Sequence, residues 1–167
     1  MGTWTNNDGL NIEFDRTKTE SAKGGEAPSF GNRRKLVVDI ALADLADASA
    51  TVGFVDEYEL PEGAIIHAAN ITVLTAATSG GSAVLDLGVI DASSDSSGTD
   101  DDDGFDAAVA LAALTPAGTV ITGDGALVGT VLDASYRVAA SYDTAAFTGG
   151  EIRLEIEYEP TLNREGQ

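Results

Sequence analysis

The sequence has one histidine, His67, and histidine is the side chain whose proton leaves nearest neutral pH. It lies in Ala64-Ile65-Ile66-His67-Ala68-Ala69-Asn70-Ile71, an apolar run with the character of a strand. A single histidine in such a run reads as structural. No Gly-x-Ser-x-Gly elbow accompanies it, and no Ser-His-Asp set can be assigned from order along the chain, because such sets are recognised by geometry. Carboxylates are abundant, with 28 Asp and Glu in 167 residues. A pair suited to glycoside hydrolysis is open on that supply, but so many acids single out no pair. The run Asp100-Asp101-Asp102-Asp103 before Gly104 is the best metal candidate, since calcium takes clustered carboxylates on flexible loops. The calcium-loop pattern set by Gly104 puts Thr99 at the first ligand position and Ala110 where the closing glutamate belongs. It fails at both places. Asp100, Asp101, Asp102 and Asp103 therefore read as a solvated acidic loop, with metal binding as the alternative, and no metal or cofactor is expected.

Composition narrows the classes further. There are no cysteines, which removes disulfides, thiol catalysis and cysteine–zinc sites. No apolar run approaches the roughly 20 residues of a membrane span, and the start, Met1-Gly2-Thr3-Trp4-Thr5-Asn6, lacks the regions of a signal peptide. The expectation is a soluble protein without a classical secretion signal. A formal charge of −19 opposes binding to a phosphate backbone. Residues 1–35 hold six of the nine basic groups (Arg16, Lys18, Lys23, Arg33, Arg34, Lys35) against five acids, and the remaining chain holds 23 acids against Arg137, Arg153 and Arg164. A locally basic arm thus leads into a strongly acidic body. The arm is either a solvated tail or a segment that docks on an acidic protein surface. Trp4 is the only tryptophan, and the chain has five Phe and four Tyr. That is a thin supply for a carbohydrate-binding face of stacked rings.

The elements that would hold these groups are strands. The chain is organised around 64–90, where two β-rich runs flank Gly80-Gly81. Glycine accepts the positive φ that a two-residue hairpin turn requires. With the turn there, a hairpin puts Leu74 opposite Leu87, Ala76 opposite Leu85 and Thr72 opposite Val89 as its core face. Strict alternation marks Leu36, Val38, Ile40 and Leu42 as one inward row, and Ile152, Leu154, Ile156 and Tyr158 as another. Further strands are expected at Leu10–Phe14, Gly53–Leu60, Thr119–Thr122, Ala126–Leu132 and Tyr136–Tyr142. Thr148-Gly149-Gly150 is expected to turn the chain into the last strand. The alanine-rich Phe105–Leu114 predicts a short helix, with Asp103 as N-cap and Asp106 near its positive end. About eight short strands with one helix is the pattern of an antiparallel β-sandwich, jelly-roll-like. The expected organisation is an extended N-terminal arm at 1–35, a body at 36–160 and a C-terminal tail at 161–167.

Four stretches carry a resemblance. Met1-Gly2-Thr3-Trp4-Thr5-Asn6-Asn7-Asp8-Gly9-Leu10, Leu60-Pro61-Glu62-Gly63-Ala64, Ala76-Ala77-Thr78-Ser79-Gly80-Gly81-Ser82-Ala83 and Ser141-Tyr142-Asp143-Thr144-Ala145-Ala146-Phe147-Thr148-Gly149-Gly150 resemble small structural proteins of tailed bacteriophages. Such proteins are similar to capsid decoration or cement proteins. The motifs are turn and strand-entry signatures spread over most of the chain, and none is catalytic. The resemblance implies a jelly-roll-like body, a non-enzymatic virion protein on the outer surface of the head, a homo-oligomer, often a trimer, and the major capsid protein as partner. On that reading Trp4, Phe14, Arg16, Lys18, Lys23, Phe30, Arg33, Arg34 and Lys35 are the capsid-contact candidates. A carbohydrate-binding β-sandwich module of a phage fibre or tail protein is the alternative, and an acidic glycosidase a third.

Overall fold

Alternation of apolar and polar residues builds most of this molecule. The computed structural model describes residues 2–5, 11–14, 33–47, 52–53, 59–92, 98 and 100–160. The chain divides into two compact units, Met1–Gly31 and Asn32–Gln167. In the first, β1 (Gly2–Thr5) and β2 (Asn11–Phe14) pair antiparallel, with Trp4 opposite Ile12. The strand expected at Leu10–Phe14 is β2, and it has a partner within its own unit.

The second unit holds β3 (Arg34–Ala41), β4 (Ala46–Asp47), β5 (Val52–Gly53), β6 (Glu59–Leu60), β7 (Ile65–Ser79), β8 (Val84–Asp91), β9 (Asp101–Ala110), β10 (Val120–Thr122), β11 (Tyr136–Asp143) and β12 (Phe147–Glu159). Its one helical element among the described residues is a 3-10 turn at Leu42–Asp44. One sheet has the order β10-β7-β12-β3. The other has the order β4-β11-β8-β9, with β5 and β6 also on β11. All pairs are antiparallel except β4 with β11. The chain passes repeatedly from one sheet to the other, which is the double-sheet jelly roll. Of the strand expected at Gly53–Leu60, only the ends fall on described residues, as parts of β5 and β6.

The inner faces make one core. β3 contributes Val38 and Ile40, with Leu42 just beyond it. β12 contributes Ile152, Leu154, Ile156 and Tyr158, and all seven side chains are buried. These two rows fall where alternation placed them. Opposite them lie Leu85, Leu87 and Val89 of β8, Phe105 of β9, and Tyr136, Val138 and Ala140 of β11.

Four expectations are corrected. The hairpin over 64–90 does not form: β7 and β8 lie in different sheets. The turn at Gly80-Gly81 carries the chain across the end of the sandwich, and the two runs face each other through the core. β7 pairs with β12 at eleven positions and β8 with β11 at eight, so each finds a long partner elsewhere. The face of β7 is also inverted, because Ile71 and Val73 are buried while Leu74 is 36% exposed. Second, Phe105–Leu114 is not a helix. Its first six residues belong to β9, so Asp103 caps nothing and Asp106 sits at no helix end. The edge of β8 offers a row of backbone donors and acceptors, and filling it outweighs alanine's modest helix preference. Third, Ala126–Leu132 is a turn through Gly129 (φ +86°) followed by a short backbone ladder to Gly63–Ile66. Fourth, Gly149-Gly150 is no turn but an irregularity inside β12. Gly150 has φ +116°, and a Cβ there would lie 2.6 Å from the Ala77 Cα.

Candidate functional site

His67 lies where the β7–β12 register slips, between Ala68 and Ile66. Its Nε2 is 3.4 Å from Oε2 of Glu159. The contact joins a ring nitrogen to a carboxylate at a sheet end, in keeping with a structural role.

The acidic run has local work to do. Asp100 Oδ1 accepts the Asp91 N–H at 2.8 Å, and Asp91 Oδ2 accepts the Gly98 N–H at 3.1 Å. The two carboxylates hold the start and end of the loop that joins β8 to β9. Asp101, Asp102 and Asp103 then enter β9 as successive strand residues. Among the described residues no three His, Cys, Asp or Glu side chains are arranged to hold a metal ion. Burial, then its bond to Asp103, pushes the Asp101 carboxyl above the usual carboxylate range. Asp106, 8% exposed, is raised by burial and by the Asp124 charge. Asp86 on β8 is raised by burial and by the charges of Asp102, Asp103 and Asp143, against the opposing hydrogen bond from Ala108. That bond, Ala108 N–H to Asp86 Oδ1 at 2.8 Å, anchors a kink where β9 gains a residue relative to β8. Ala108 itself has φ +56°.

The outer face of the four-stranded sheet is organised by ion pairs. Arg153 holds Asp39 in a two-pronged contact, Nε to Oδ1 at 2.7 Å and Nη2 to Oδ2 at 2.9 Å. The guanidinium holds the Asp39 carboxyl below its usual range. Lys35 Nζ is 2.9 Å from Glu155 Oε2 and 3.7 Å from Glu157 Oε1, and its bond to Glu155 raises its own pKa. Beside these charges Val37 is 41% exposed.

The docking candidates are divided between the two units. Trp4 is in β1 and Phe14 in β2, in the first unit. Arg16, Lys18, Lys23 and Phe30 lie outside the described residues. Arg33, Arg34 and Lys35 belong to the second unit, where β3 begins at Arg34, and all three are exposed. The basic character assigned to the arm therefore rests at the head of the body's first strand. Met1–Gly31 alone has Arg16, Lys18 and Lys23 against Asp8, Glu13, Asp15, Glu20 and Glu26, which is two negative charges net.

Sequence reading missed the exposed apolar residues Val37, Leu74, Val120 and Val131. It also missed a shallow cleft of about 320 Å³ between Gly81–Val84 and Ala110–Ala112. Val37 and Val120 lie in the edge strands β3 and β10, and a valine carries no mark of which neighbour its strand lacks.

No protein-family model matches the sequence, and no curated protein matches it. Solved structures do share its fold. A chain in the capsid asymmetric unit of cyanophage Pam1 superposes with a TM-score of 0.56 at 15% identity, covering 87% of this chain and 98% of that one. A chain in the capsid of Ralstonia phage GP4 superposes with a TM-score of 0.51 at 20% identity, covering 78% and 86% respectively. At these identities the likeness is one of fold.

Proposed function

We propose that this chain is a non-enzymatic structural protein of a phage virion, a decoration or cement protein that binds the assembled capsid on its outer surface and stabilises it. The observation that carries this reading is the jelly roll, which aligns over nearly the whole length of a chain from the Pam1 capsid. The turn signatures shared with small virion proteins point the same way. The mechanism is mass action. A protein that binds only the assembled shell adds stability as RT ln(1 + [L]/Kd), about 2.7 kcal/mol at a hundred times Kd.

In this reading the major capsid protein is the partner. Met1–Gly31, with Trp4, Phe14, Arg16, Lys18, Lys23 and Phe30, runs across capsomer joints. Arg33, Arg34 and Lys35 meet the shell where the arm enters the body, whose acidic surface projects into solvent. A homo-oligomer, a trimer by resemblance, multiplies weak arm contacts by avidity.

The test is co-sedimentation with expanded capsids of the source phage, with electron cryo-microscopy of the same particles. Saturable binding at fixed lattice positions is the expected result. Removing residues 1–31, which leaves β3 whole, is expected to abolish binding while far-ultraviolet circular dichroism and melting stay those of a folded body. Retained binding would remove the arm's role. A folded intact protein that ignores intact capsids would move the reading to a tail or glycan-binding module.

A further inference from the structure

Each of the two sheets of the second unit ends in two edges, and among the described residues three of these four are closed to an added strand. β10 is three residues long. β9 is broken by two register shifts and carries four aspartates. The far side of β11 is taken up by the short pieces β4, β5 and β6. Short strands, bulges and edge charge are the usual devices against edge-to-edge association. β3 has none of the first two. It pairs with β12 over eight consecutive positions without a shift and contains neither proline nor glycine. Among the described residues no strand lies on its other side.

Its side chains fit a second copy of itself. Two antiparallel copies of one strand must match faces, so that core-side residues meet core-side residues. A pairing centred on Val37 does this. Val37 then faces Val37, Leu36 faces Val38 on the core side, and Lys35 faces Asp39 twice. Sliding two residues either way puts Val37 against Lys35 or against Asp39, so only the centred register joins apolar to apolar and plus to minus. The row continues into both sheets. Arg153 neighbours Asp39 and Glu157 neighbours Lys35 within each copy, so across the join the order is Arg153, Asp39, then Lys35 and Glu157 of the second copy. Signs alternate along the whole row, and the two-fold axis repeats it. The side chains of Lys35 and Asp39 are 46% and 43% exposed, so both can take a second partner. Val37 is 41% exposed and would be covered.

We propose that the free edge of β3 joins two copies of this chain about a two-fold axis, in the register centred on Val37, so that their four-stranded sheets continue into one another. The pair is a property of the free protein and does not rest on the capsid reading. On a shell the same contact would link neighbouring oligomers.

The experiment measures the mass of the full chain by light scattering after size exclusion, at near-physiological salt so that the large negative charge is screened. Four samples are compared: the wild type, K35D, D39K, and an equimolar mixture of the two variants. Circular dichroism checks that each variant is folded. In K35D or D39K alone, like charges face each other at both ends of the seam, and association is expected to weaken by at least about tenfold. In the mixture each introduced charge meets its opposite, and association returns. A wild type of single-copy mass at micromolar concentration overturns the proposal. So does an assembly that both variants retain, or a folded mixture that stays dissociated.

Discussion

Gly88 and Gly80 show how much a single position can depend on its surroundings. Gly88 lies in β8 opposite Ala139. A Cβ there would sit on the Asp101 carbonyl oxygen and 2.8 Å from that of Asp102. Backbone cannot yield as a flexible side chain can, so Gly88→Ala is expected to destabilise by about 1–3 kcal/mol, read as a lower urea midpoint. Gly80, on the exposed connection between the sheets, has nothing within 4 Å of the same added atom. Gly80→Ala serves as the neutral control, and equal losses at the two sites would contradict the close approach over Gly88. The Arg153–Asp39 pair is well formed but half in water, so Arg153→Ala is expected to leave the urea midpoint nearly unchanged. None of these three outcomes was legible in the sequence. Glycine and arginine look alike wherever they occur, and the distances that separate their roles come from residues distant in the chain.

Among the elements, β9 is where local preference and the fold part company. Alanines and a plausible cap favoured a helix. The strand forms because β8 needs an outer partner and because Phe105, fully buried, enters the core from that position. Phe105→Ala is therefore expected to cost about 3–5 kcal/mol, measured by denaturant unfolding. A loss below 1 kcal/mol would mean that β9 contributes little to the core. Asp86 holds the β9 kink through the Ala108 N–H while being crowded by other acids. Asp86→Asn keeps an oxygen to accept that bond and removes the charge. It is expected to raise the melting temperature at pH 7, by a few tenths to about 1 kcal/mol of stability, whereas Asp86→Ala is expected to lower it. β3 and β12 stand at the other extreme. Their strict alternation was readable because each has one buried and one solvated face, and their inward rows came out as expected.

For the molecule as a whole, the acids set the pH response. Asp86, Asp101 and Asp106 have folded pKa values above their ordinary ones. A carboxyl raised by folding costs stability while ionised. That cost disappears as pH falls through the folded value, and the gain is complete below the unfolded value near about 3.9. Asp39 has the opposite sign: its contribution is present above the unfolded value and lost as pH falls through its lowered folded one. Asp39 is exposed, so its share is small. Melting temperature is therefore expected to rise as pH falls from neutral toward the unfolded carboxylate value, helped by relief of self-repulsion in a chain of formal charge −19. A steady fall over that range, at constant ionic strength, would contradict the crowding of acids on β8 and β9.

The sequence by itself determined the class of this protein: antiparallel strands, a core of alternating aliphatic rows, an acidic body, and a break in the chain at Gly80-Gly81. These follow from local rules, since period two, glycine and charge act over a few residues. The tertiary structure decided which strands are neighbours. The runs on either side of Gly80-Gly81 could fold back in one plane or cross to opposite sheets with the same local energies. The choice belongs to β11 and β12, which lie more than fifty residues further along and offer longer ladders. The same non-local choice made β9 a strand, placed Arg34 and Lys35 within β3 and, among the described residues, left that strand with no neighbour on its second side.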